Sequence, residues 1–278
     1  MSEPSRLRNL RDPYVAMAFG GWSDAAQAAT DALEHLVTTY DADVAFTIDP
    51  GDYYDFQTSR PTVALTDDGE RHLTWPSTEL LVASLPRRDI VVVRGPEPNF
   101  RWPQFASSLT SALRSVRPDL AVMLGAMLTE NPHTRPVPVM ASSQSVAVRE
   151  RYGAETSQYE GPTGMTGVMS MALHTAGIPV LSLWAGCPHY VANPPNPKAT
   201  LALVTRLEDV FGEPIDMGDL PARAELWERS VNELAEDDPD VSEYIANLEA
   251  ADDARDPEVS GDAIAAEFQR YLRRHDSQ

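Results

Sequence analysis

Short aliphatic and β-branched runs alternate along the chain with stretches whose apolar residues recur every three or four positions. Runs of the first kind predict strands, and the second pattern predicts helices with one buried face. Strands are predicted at Tyr14–Phe19, Asp43–Ile48, Asp89–Arg94, Leu120–Leu124 and Ile178–Trp184, and a hairpin at Thr62–Thr66 and His72–Trp75. Helices are predicted from Asp24 (capped by Ser23 or Asp24), over Pro103–Val116, up to Gly153, from Gly164 to Gly177 and over Lys198–Phe211. This alternation predicts a mainly parallel sheet with helices on both faces.

The chain changes character after Asp216. From Asp216 to the last residue there are 18 acidic side chains against 6 arginines. Three helices with narrow apolar stripes are predicted there, and such helices need another surface on which to dock. We therefore predict an α/β domain at 1–215 and an acidic helical extension at 216–278. The predicted helices span Ala222–Leu234, Val241–Leu248 and Ala263–Leu272.

Composition narrows the classes of partner. The 278 residues include 22 basic and 42 acidic side chains, a formal net charge of −20, which repels nucleic acid and anionic membranes. Cys187 is the only cysteine, and no apolar segment approaches the roughly 20 residues of a membrane span. With no secretory leader at the start of the sequence, we expect a cytoplasmic protein without internal disulfides.

Polar and aromatic residues follow each predicted strand. In α/β sheets, ligands bind at the carboxyl ends of the strands, so these loops form the candidate ligand site. We expect the charged members of the set to meet in one cleft. The candidates are Gly20, Gly21, Trp22, Asp24, Tyr54, Asp55, Arg60, Arg94, Glu97, Glu130, His133, Thr163, Gly164 and His189.

Several of these residues have two interpretations. Gly20-Gly21 before a helix suits an anion or simply a tight turn, and Ser23 resembles a nucleophile elbow or a helix cap. Asp55 and Arg60 suit a ligand site or a structural ion pair. Glu130 and His133 suit an acid–base pair, although a histidine bonded within its loop is the alternative.

No metal or cofactor site is predicted. The six histidines and single cysteine lack the paired spacing of zinc ligands. Lys198 is the only lysine among 22 basic residues, which leaves little material for lysine-dependent chemistry. No catalytic residues are assigned.

Six segments occur in an order that resembles the second type of the proteasome assembly chaperone family, in its actinobacterial branch. The resemblance extends from about Tyr14 to Gly212, and the acidic tail is also similar. The segments are GGWSDAAQAA, YYDFQTSRP, GPEPNFRWPQF, TENPHTRPVPV, YEGPTGMTG and IPVLSLWAGCPHYV.

The resemblance implies a three-layer α/β/α sandwich similar to the phosphorylase/hydrolase-like fold, with a C-terminal helical extension. It also implies a homo-oligomer, such as a trimer, and subunits of a larger assembly as partners, since eukaryotic relatives assist proteasome α-ring assembly without catalysis. The interaction surface would consist of the aromatic residues Tyr53, Tyr54, Phe56, Phe100 and Trp102 together with the tail. The alternative is a protein or enzyme that binds a small anionic or nucleoside-like ligand in the predicted cleft.

Overall fold

The computed structural model describes residues 7–66 and 68–255 and divides them into two units. Unit 1 contains most of the strand residues and the helices that pack on them. Unit 2 contains mainly the C-terminal helices. Unit 1 takes in the described residues up to Asp24, with Leu33–Gly125 and Ala141–Leu183, and unit 2 takes in Ala25–Ala32, Ala126–Met140 and the described residues from Trp184 onward.

Residues 7–66 and 68–255 contain nine strands, which form a seven-stranded sheet and a separate two-stranded hairpin. The order in the large sheet is β2-β5-β6-β1-β7-β9-β8, and β3 pairs only with β4. The strands are β1 (Tyr14–Gly20), β2 (Asp43–Ile48), β3 (Thr62–Leu65), β4 (Arg71–Thr74), β5 (Thr78–Ser84), β6 (Asp89–Pro96), β7 (Leu120–Thr129), β8 (Val139–Ser142) and β9 (Val180–Pro188).

The sheet contains both parallel and antiparallel strand pairs. The antiparallel pairs lie on the side of β2 and β5, where the sheet differs from the mainly parallel prediction. Strand β1 pairs in parallel with both β6 and β7, as the alternating pattern predicts. Strand β5, which the sequence analysis missed, runs antiparallel to both β6 and β2. The buried, β-branched strand β6 therefore lies inside the sheet, as predicted, but it has one parallel and one antiparallel neighbour.

In the part of the chain that the structure describes, seven α-helices connect or follow the strands. They are α1 (Ala28–Thr39), α2 (Trp102–Val116), α3 (Val146–Tyr152), α4 (Met165–Thr175), α5 (Pro197–Phe211), α6 (Leu220–Glu236) and α7 (Pro239–Arg255). Helix α1 begins four residues after Asp24, because Ala25–Gln27 form a 3₁₀ turn in which Ala26 and Gln27 have positive φ angles. Ser23 and Asp24 therefore lie too early in the chain to cap α1, contrary to the prediction.

The core of unit 1 lies between the sheet and helices α2 and α4. Val15, Met17 and Phe19 alternate along β1 and contact this core, and Phe105 of α2 meets Phe19 edge to face at 5.9 Å. The other face of β1 is equally buried. Burial on both faces explains the continuous apolar sequence of β1, which is typical of a central strand in an α/β fold.

Unit 2 contains the helices that follow Asp216, and they pack in chain order. Helix α6 packs on α5, and α7 packs on α6. The buried face of α6 includes Val231 and Ala235, and that of α7 includes Ile245 and Leu248. The predicted boundary at 215/216 stays a prediction, and the predicted helix at Ala263–Leu272 lies outside the described residues.

Candidate functional site

Two loops of unit 1 meet where strands β1 and β6 end. The backbone N–H of Glu97, just after β6, donates to the carbonyl oxygen of Gly20 at 2.8 Å. Gly21 follows with φ of +126°, a conformation that glycine adopts without strain. The two glycines thus form a tight turn that joins the loops. Of the two interpretations given for Gly20-Gly21, an anion site or a tight turn, the structure supports the tight turn.

The carboxylate of Glu97 occupies the N-terminus of helix α4. Its Oε1 accepts the backbone N–H of Met165 at 2.5 Å. No side chain of the preceding residue, Gly164, is available to cap this helix, so Glu97 supplies the negative charge that a helix N-terminus favours. An internal carboxylate therefore holds the position that an anionic ligand would take at this glycine-rich helix start.

Gly164 leaves room for its neighbours. A β-carbon at this position would lie 2.6 Å from the Ser23 Oγ and 2.7 Å from the Glu97 Oε1. It would also lie 3.4 Å from the ring of Trp22. Ser23 is buried, and within the described residues it forms no hydrogen bond to a histidine, so nothing there activates it as a nucleophile.

Exposed aromatic rings are carried by the loops that form this junction and by the loop before α4. Trp22 is 65% exposed, and its ring lies beside Gly164. Tyr159, in the loop before α4, is 66% exposed, and its hydroxyl donates to the carbonyl oxygen of Pro162 at 2.7 Å. Phe100, in the loop after β6, is also exposed. We call Trp22, Phe100 and Tyr159 the aromatic rim.

The aromatic surface predicted from the sequence differs from the one that is exposed in the structure. Tyr54 is buried, and its hydroxyl bonds the Thr78 hydroxyl at 2.7 Å and the Pro96 carbonyl at 3.0 Å. Burial raises the pKa of Tyr54 to about 12, which keeps the phenol neutral. Tyr53 packs on the core ring of Phe105. These tyrosines hold the fold together, and Tyr159, which the analysis missed, is exposed instead.

Trp102 and Phe56 also make contacts within the protein. The Trp102 indole donates to the Pro98 carbonyl oxygen at 2.6 Å, and the Phe56 ring contacts Trp75 at 4.7 Å. Of the five aromatic residues in the predicted surface, Phe100 is the one that the structure leaves exposed.

Asp55 and Arg60 do not form the predicted alternative ion pair. The Asp55 carboxylate accepts the backbone N–H of Gln57 at 2.9 Å and the hydroxyl of Thr58 at 3.3 Å, which stabilises the turn. Arg60 is exposed and has no hydrogen-bond or ion-pair partner among residues 7–66 and 68–255. It remains the one candidate arginine of unit 1 that is available to a ligand.

Arg94 is bound within the protein. Its guanidinium pairs with Glu34 of α1 and with Glu79 of β5, the latter at 3.3 Å. Burial raises the pKa of the Glu79 carboxyl and lowers that of Arg94. Arg94 therefore joins a helix to two strands.

His133 of unit 2 is the centre of a buried hydrogen-bond network. Its backbone N–H donates to the Tyr190 hydroxyl oxygen at 2.7 Å, and its Nδ1 lies 2.8 Å from the same oxygen. Its Nε2 lies 3.0 Å from Oδ1 of Asn232 on α6. This pattern assigns the tautomer: Tyr190 donates to Nδ1, and Nε2–H donates to Asn232. Burial lowers the pKa of His133 and favours this neutral form.

His133 does not pair with Glu130, because both ring nitrogens already have other partners. Glu130 itself is exposed. The structure therefore supports the alternative in which His133 is hydrogen-bonded within the protein. The sequence did not indicate its partners, Tyr190 and Asn232. Asn232 is 99 residues away in sequence, so no local spacing could have indicated it.

Lys198 and His189 strengthen the same part of unit 2. The Lys198 ammonium donates to the His133 carbonyl oxygen and to Glu228 of α6, each at 2.5 Å. His189 contacts Tyr190 and Tyr244 edge to face, each at 5.7 Å between ring centroids. His133 and His189, which were candidates for a ligand site, instead connect loops of unit 2 to helices α6 and α7.

The candidate residues fall into both units. Glu130, His133 and His189 belong to unit 2, and all the others belong to unit 1. The Thr163 hydroxyl leaves no room for a side chain at Gly167, because a β-carbon there would lie 2.0 Å from it. Asp24 is buried. A ligand cleft that includes the whole set stays a prediction.

Residues 7–66 and 68–255 contain no group of three or more His, Cys, Asp or Glu side chains placed to hold a metal ion. None of the helices described is both long enough and apolar enough to span a membrane.

Residues 18–235 match the model of the PAC2 family. A PAC2 family protein from Streptomyces avermitilis has 45% sequence identity, with a TM-score of 0.79 over 84% of this chain and 99% of that one. A proteasome-assembly chaperone homologue from Mycobacterium tuberculosis has 43% identity and a TM-score of 0.75 over the same shares of the two chains.

A more distant structure shares the fold alone. PbaB from Pyrococcus furiosus, described as an archaeal proteasome activator, has 17% identity and a TM-score of 0.64 over 81% of this chain and 94% of that one. No curated protein sequence is significantly similar to this chain.

Proposed function

Because the chain belongs to the PAC2 family, we propose that it is a non-enzymatic protein of the assembly-chaperone type, which binds other protein subunits without transforming a small molecule. The relative from Mycobacterium tuberculosis, described as a proteasome-assembly chaperone homologue, supports proteasome subunits as the partners. We further propose that the protein acts in the cytoplasm as a homo-oligomer.

The observation that carries this proposal is the contrast, in unit 1, between exposed aromatic rings and a glutamate that is already bonded within the protein. Trp22 and Tyr159 are each about two-thirds exposed, whereas the Glu97 carboxylate accepts a hydrogen bond from the backbone of α4. Exposed tryptophan and tyrosine held on a rigid base are typical of the residues that contribute most to protein–protein binding. A catalytic centre would instead offer polar groups to a substrate.

The proposal is tested by binding to α-type proteasome subunits of an actinobacterium. We expect a complex in sedimentation velocity and faster appearance of α-rings on native gels when the protein is present. Trp22→Ala should weaken binding by about 2 kcal/mol or more, about thirtyfold in Kd, if Trp22 is a central contact.

Leu226→Ala is the matched control, since Leu226 is similarly exposed (58%) but lies on helix α6 of unit 2. It should leave both readouts unchanged. Failure of the unaltered protein to bind α-subunits, or equal losses in the two variants, would contradict the proposal.

A further inference from the structure

Trp22 and Tyr159 contact the two ends of one short turn in unit 1. A β-carbon at Gly164 would lie 3.4 Å from the ring of Trp22, and one at Gly161 would lie 2.8 Å from the Tyr159 hydroxyl oxygen. Three residues of fully extended chain span at most about 11 Å, so the two glycines are no further apart than that. One short extended peptide is therefore long enough to contact both rings.

Tyr159 is oriented by hydrogen bonds within its own loop. Its hydroxyl donates to the Pro162 carbonyl oxygen at 2.7 Å, and its backbone N–H donates to the Ser157 hydroxyl oxygen at 3.3 Å. The ring also lies so close to Gly161 that a β-carbon there would approach it at 3.1 Å. A ring that is already oriented and exposed loses little conformational entropy when a partner binds.

The segments that carry these two rings contain acidic residues and no basic ones. Residues 12–34, which include Trp22, contain four acidic side chains, and residues 152–173, which include Tyr159, contain two. Neither segment contains arginine, lysine or histidine. Glu160, next to Tyr159, is exposed and forms no hydrogen bond or ion pair among residues 7–66 and 68–255. Its charge is therefore available to a partner.

Phe100, the third residue of the aromatic rim, has different surroundings. The residue after it is Arg101, which is in an ion pair. The loop that carries the exposed Arg60 is bonded to the same segment, since the Ser59 hydroxyl donates to Oδ1 of Asn99 at 3.2 Å. Phe100 is therefore accompanied by positive charge, whereas the segments of the other two rings carry only negative charge.

A basic side chain is the group that this combination favours. The face of a tryptophan or tyrosine ring attracts a cation, most strongly in the case of tryptophan, and a guanidinium also stacks flat on such a ring. A carboxylate nearby accepts charge-assisted hydrogen bonds from the same guanidinium. An acidic segment would be repelled, and a purely apolar one would leave the carboxylate without a partner.

We propose that Trp22, Tyr159 and Glu160 bind an arginine-bearing, extended segment of a partner protein, and we call these three residues the cation site. The inference deepens the proposed function, on which it rests for the protein nature of the partner. It assigns a positive charge to the part of the partner that meets these rings.

A synthetic peptide tests the chemistry of the cation site without any proteasome subunit. The probe is a heptapeptide in which three arginines alternate with serines, and the comparison is the same peptide with citrulline, which keeps the side-chain shape but has no charge. Titration calorimetry on the full chain should show that the citrulline peptide binds about fivefold more weakly or worse. Equal affinities would overturn the proposal.

Because a net charge of −20 attracts any cationic peptide, ring variants must locate the binding. Trp22→Leu and Tyr159→Leu should each weaken binding of the arginine peptide about threefold or more, while Trp22→Phe, which keeps a ring, should lose less than Trp22→Leu. Phe100→Leu is the matched control, since it removes another exposed ring of the aromatic rim, and it should have no effect. Equal losses in Phe100→Leu and Trp22→Leu would contradict the cation site.

A second pair of variants tests the carboxylate. Glu160→Gln should weaken binding of the arginine peptide about twofold or more. Glu70→Gln removes the same charge from another exposed loop of unit 1 and should leave the affinity unchanged. Equal effects of the two substitutions would show attraction by net charge alone and would overturn the role of Glu160. All the substituted side chains are at least half exposed or lie in exposed loops, so the melting temperatures should agree.

The peptide and the α-type subunits give separate answers. Discrimination between the two peptides by a protein that binds no α-subunit would contradict the proposed function alone. Binding of α-subunits by a protein that does not discriminate between the peptides would contradict the cation site alone.

Discussion

A single methyl group at Gly164 would crowd the junction between the loops that follow β1 and β6. The added carbon would lie within 2.7 Å of both the Ser23 hydroxyl and the Glu97 carboxylate, closer than van der Waals contact allows. We expect Gly164→Ala to lower the free energy of unfolding by about 1–3 kcal/mol, measured by urea denaturation. Gly51→Ala is the control, because its nearest neighbour would lie at 3.4 Å, and we expect a change within about 0.5 kcal/mol. Equal effects would contradict the packing described.

His133 makes stability depend on pH. Burial lowers its pKa below the ordinary 6.5, so at mildly acidic pH the unfolded chain binds a proton that the folded chain excludes. The free energy of unfolding should therefore fall as the pH drops below about 6.5, until the pKa of the folded state is reached. His133→Gln should be less stable near pH 7.5 by about 1–3 kcal/mol, because it leaves buried partners unpaired.

The measurement is chemical denaturation of both proteins at several pH values between about 5 and 8. Other titrating groups affect the two proteins alike, so the difference between their curves isolates His133. If the wild type lost no more stability than His133→Gln on acidification, the neutral, bonded imidazole would be contradicted.

Arg60 distinguishes the small-molecule alternative from the proposed function. Since its side chain is exposed and Asp55 is bonded elsewhere, Arg60→Ala should change the free energy of unfolding by less than about 0.5 kcal/mol. Mass spectrometry of small molecules released from the purified wild type and variant checks the alternative. An anion retained by the wild type and lost from the variant would favour a ligand site.

At the scale of elements, the docking of helix α7 depends on a few apolar side chains. Leu248 is 9% exposed, and Leu234, on the preceding helix α6, is 70% exposed. Leu248→Ala should lower the free energy of unfolding by about 2–5 kcal/mol, and Leu234→Ala by no more than about 0.5 kcal/mol. Thermal denaturation of the two variants checks this, and similar melting temperatures would show that α7 is not docked through Leu248.

Most elements could be predicted because their patterns are local. The continuous apolar run in Tyr14–Gly20 reflects burial on both faces, and the three-to-four spacing in Trp102–Val116 reflects one buried face. Strand β5 was missed because its apolar run, Leu80 to Ala83, is only four residues long, and so short a run does not distinguish a strand from part of a helix. Its antiparallel pairing depends on β2 and β6, which local sequence does not specify.

The candidate site was harder to predict than the fold. The polar residues after each strand could be identified, but their partners could not. Glu97 bonds the backbone of Met165, 68 residues away, and a carboxylate in a loop looks the same whether it caps a helix or binds a ligand. Tyr54 resembled a surface residue until its hydroxyl was seen to have two internal partners.

At the scale of the whole molecule, the excess of acidic residues opposes compactness. A net charge of −20 on 278 residues produces self-repulsion that salt screens. Raising NaCl from about 0.05 to about 0.5 M should raise the melting temperature by about 2–4 °C, which corresponds to about 1 kcal/mol in a protein of this size. Calorimetry at neutral pH checks this. A melting temperature that fell with salt would mean that attractive pairs such as Lys198–Glu228 outweigh the repulsion.

The position of Lys198 also determines how the protein responds to amine chemistry. Acetylation, ubiquitin-like tagging and amine-reactive dyes all act on a free lysine amino group. This chain offers one such side chain, and it is 16% exposed and bonded to Glu228 and to the His133 carbonyl oxygen. Lysine-directed tags that mark proteins for degradation therefore have almost no accessible site on the folded chain. Lys198, which fixes α6, also protects the protein from that form of turnover.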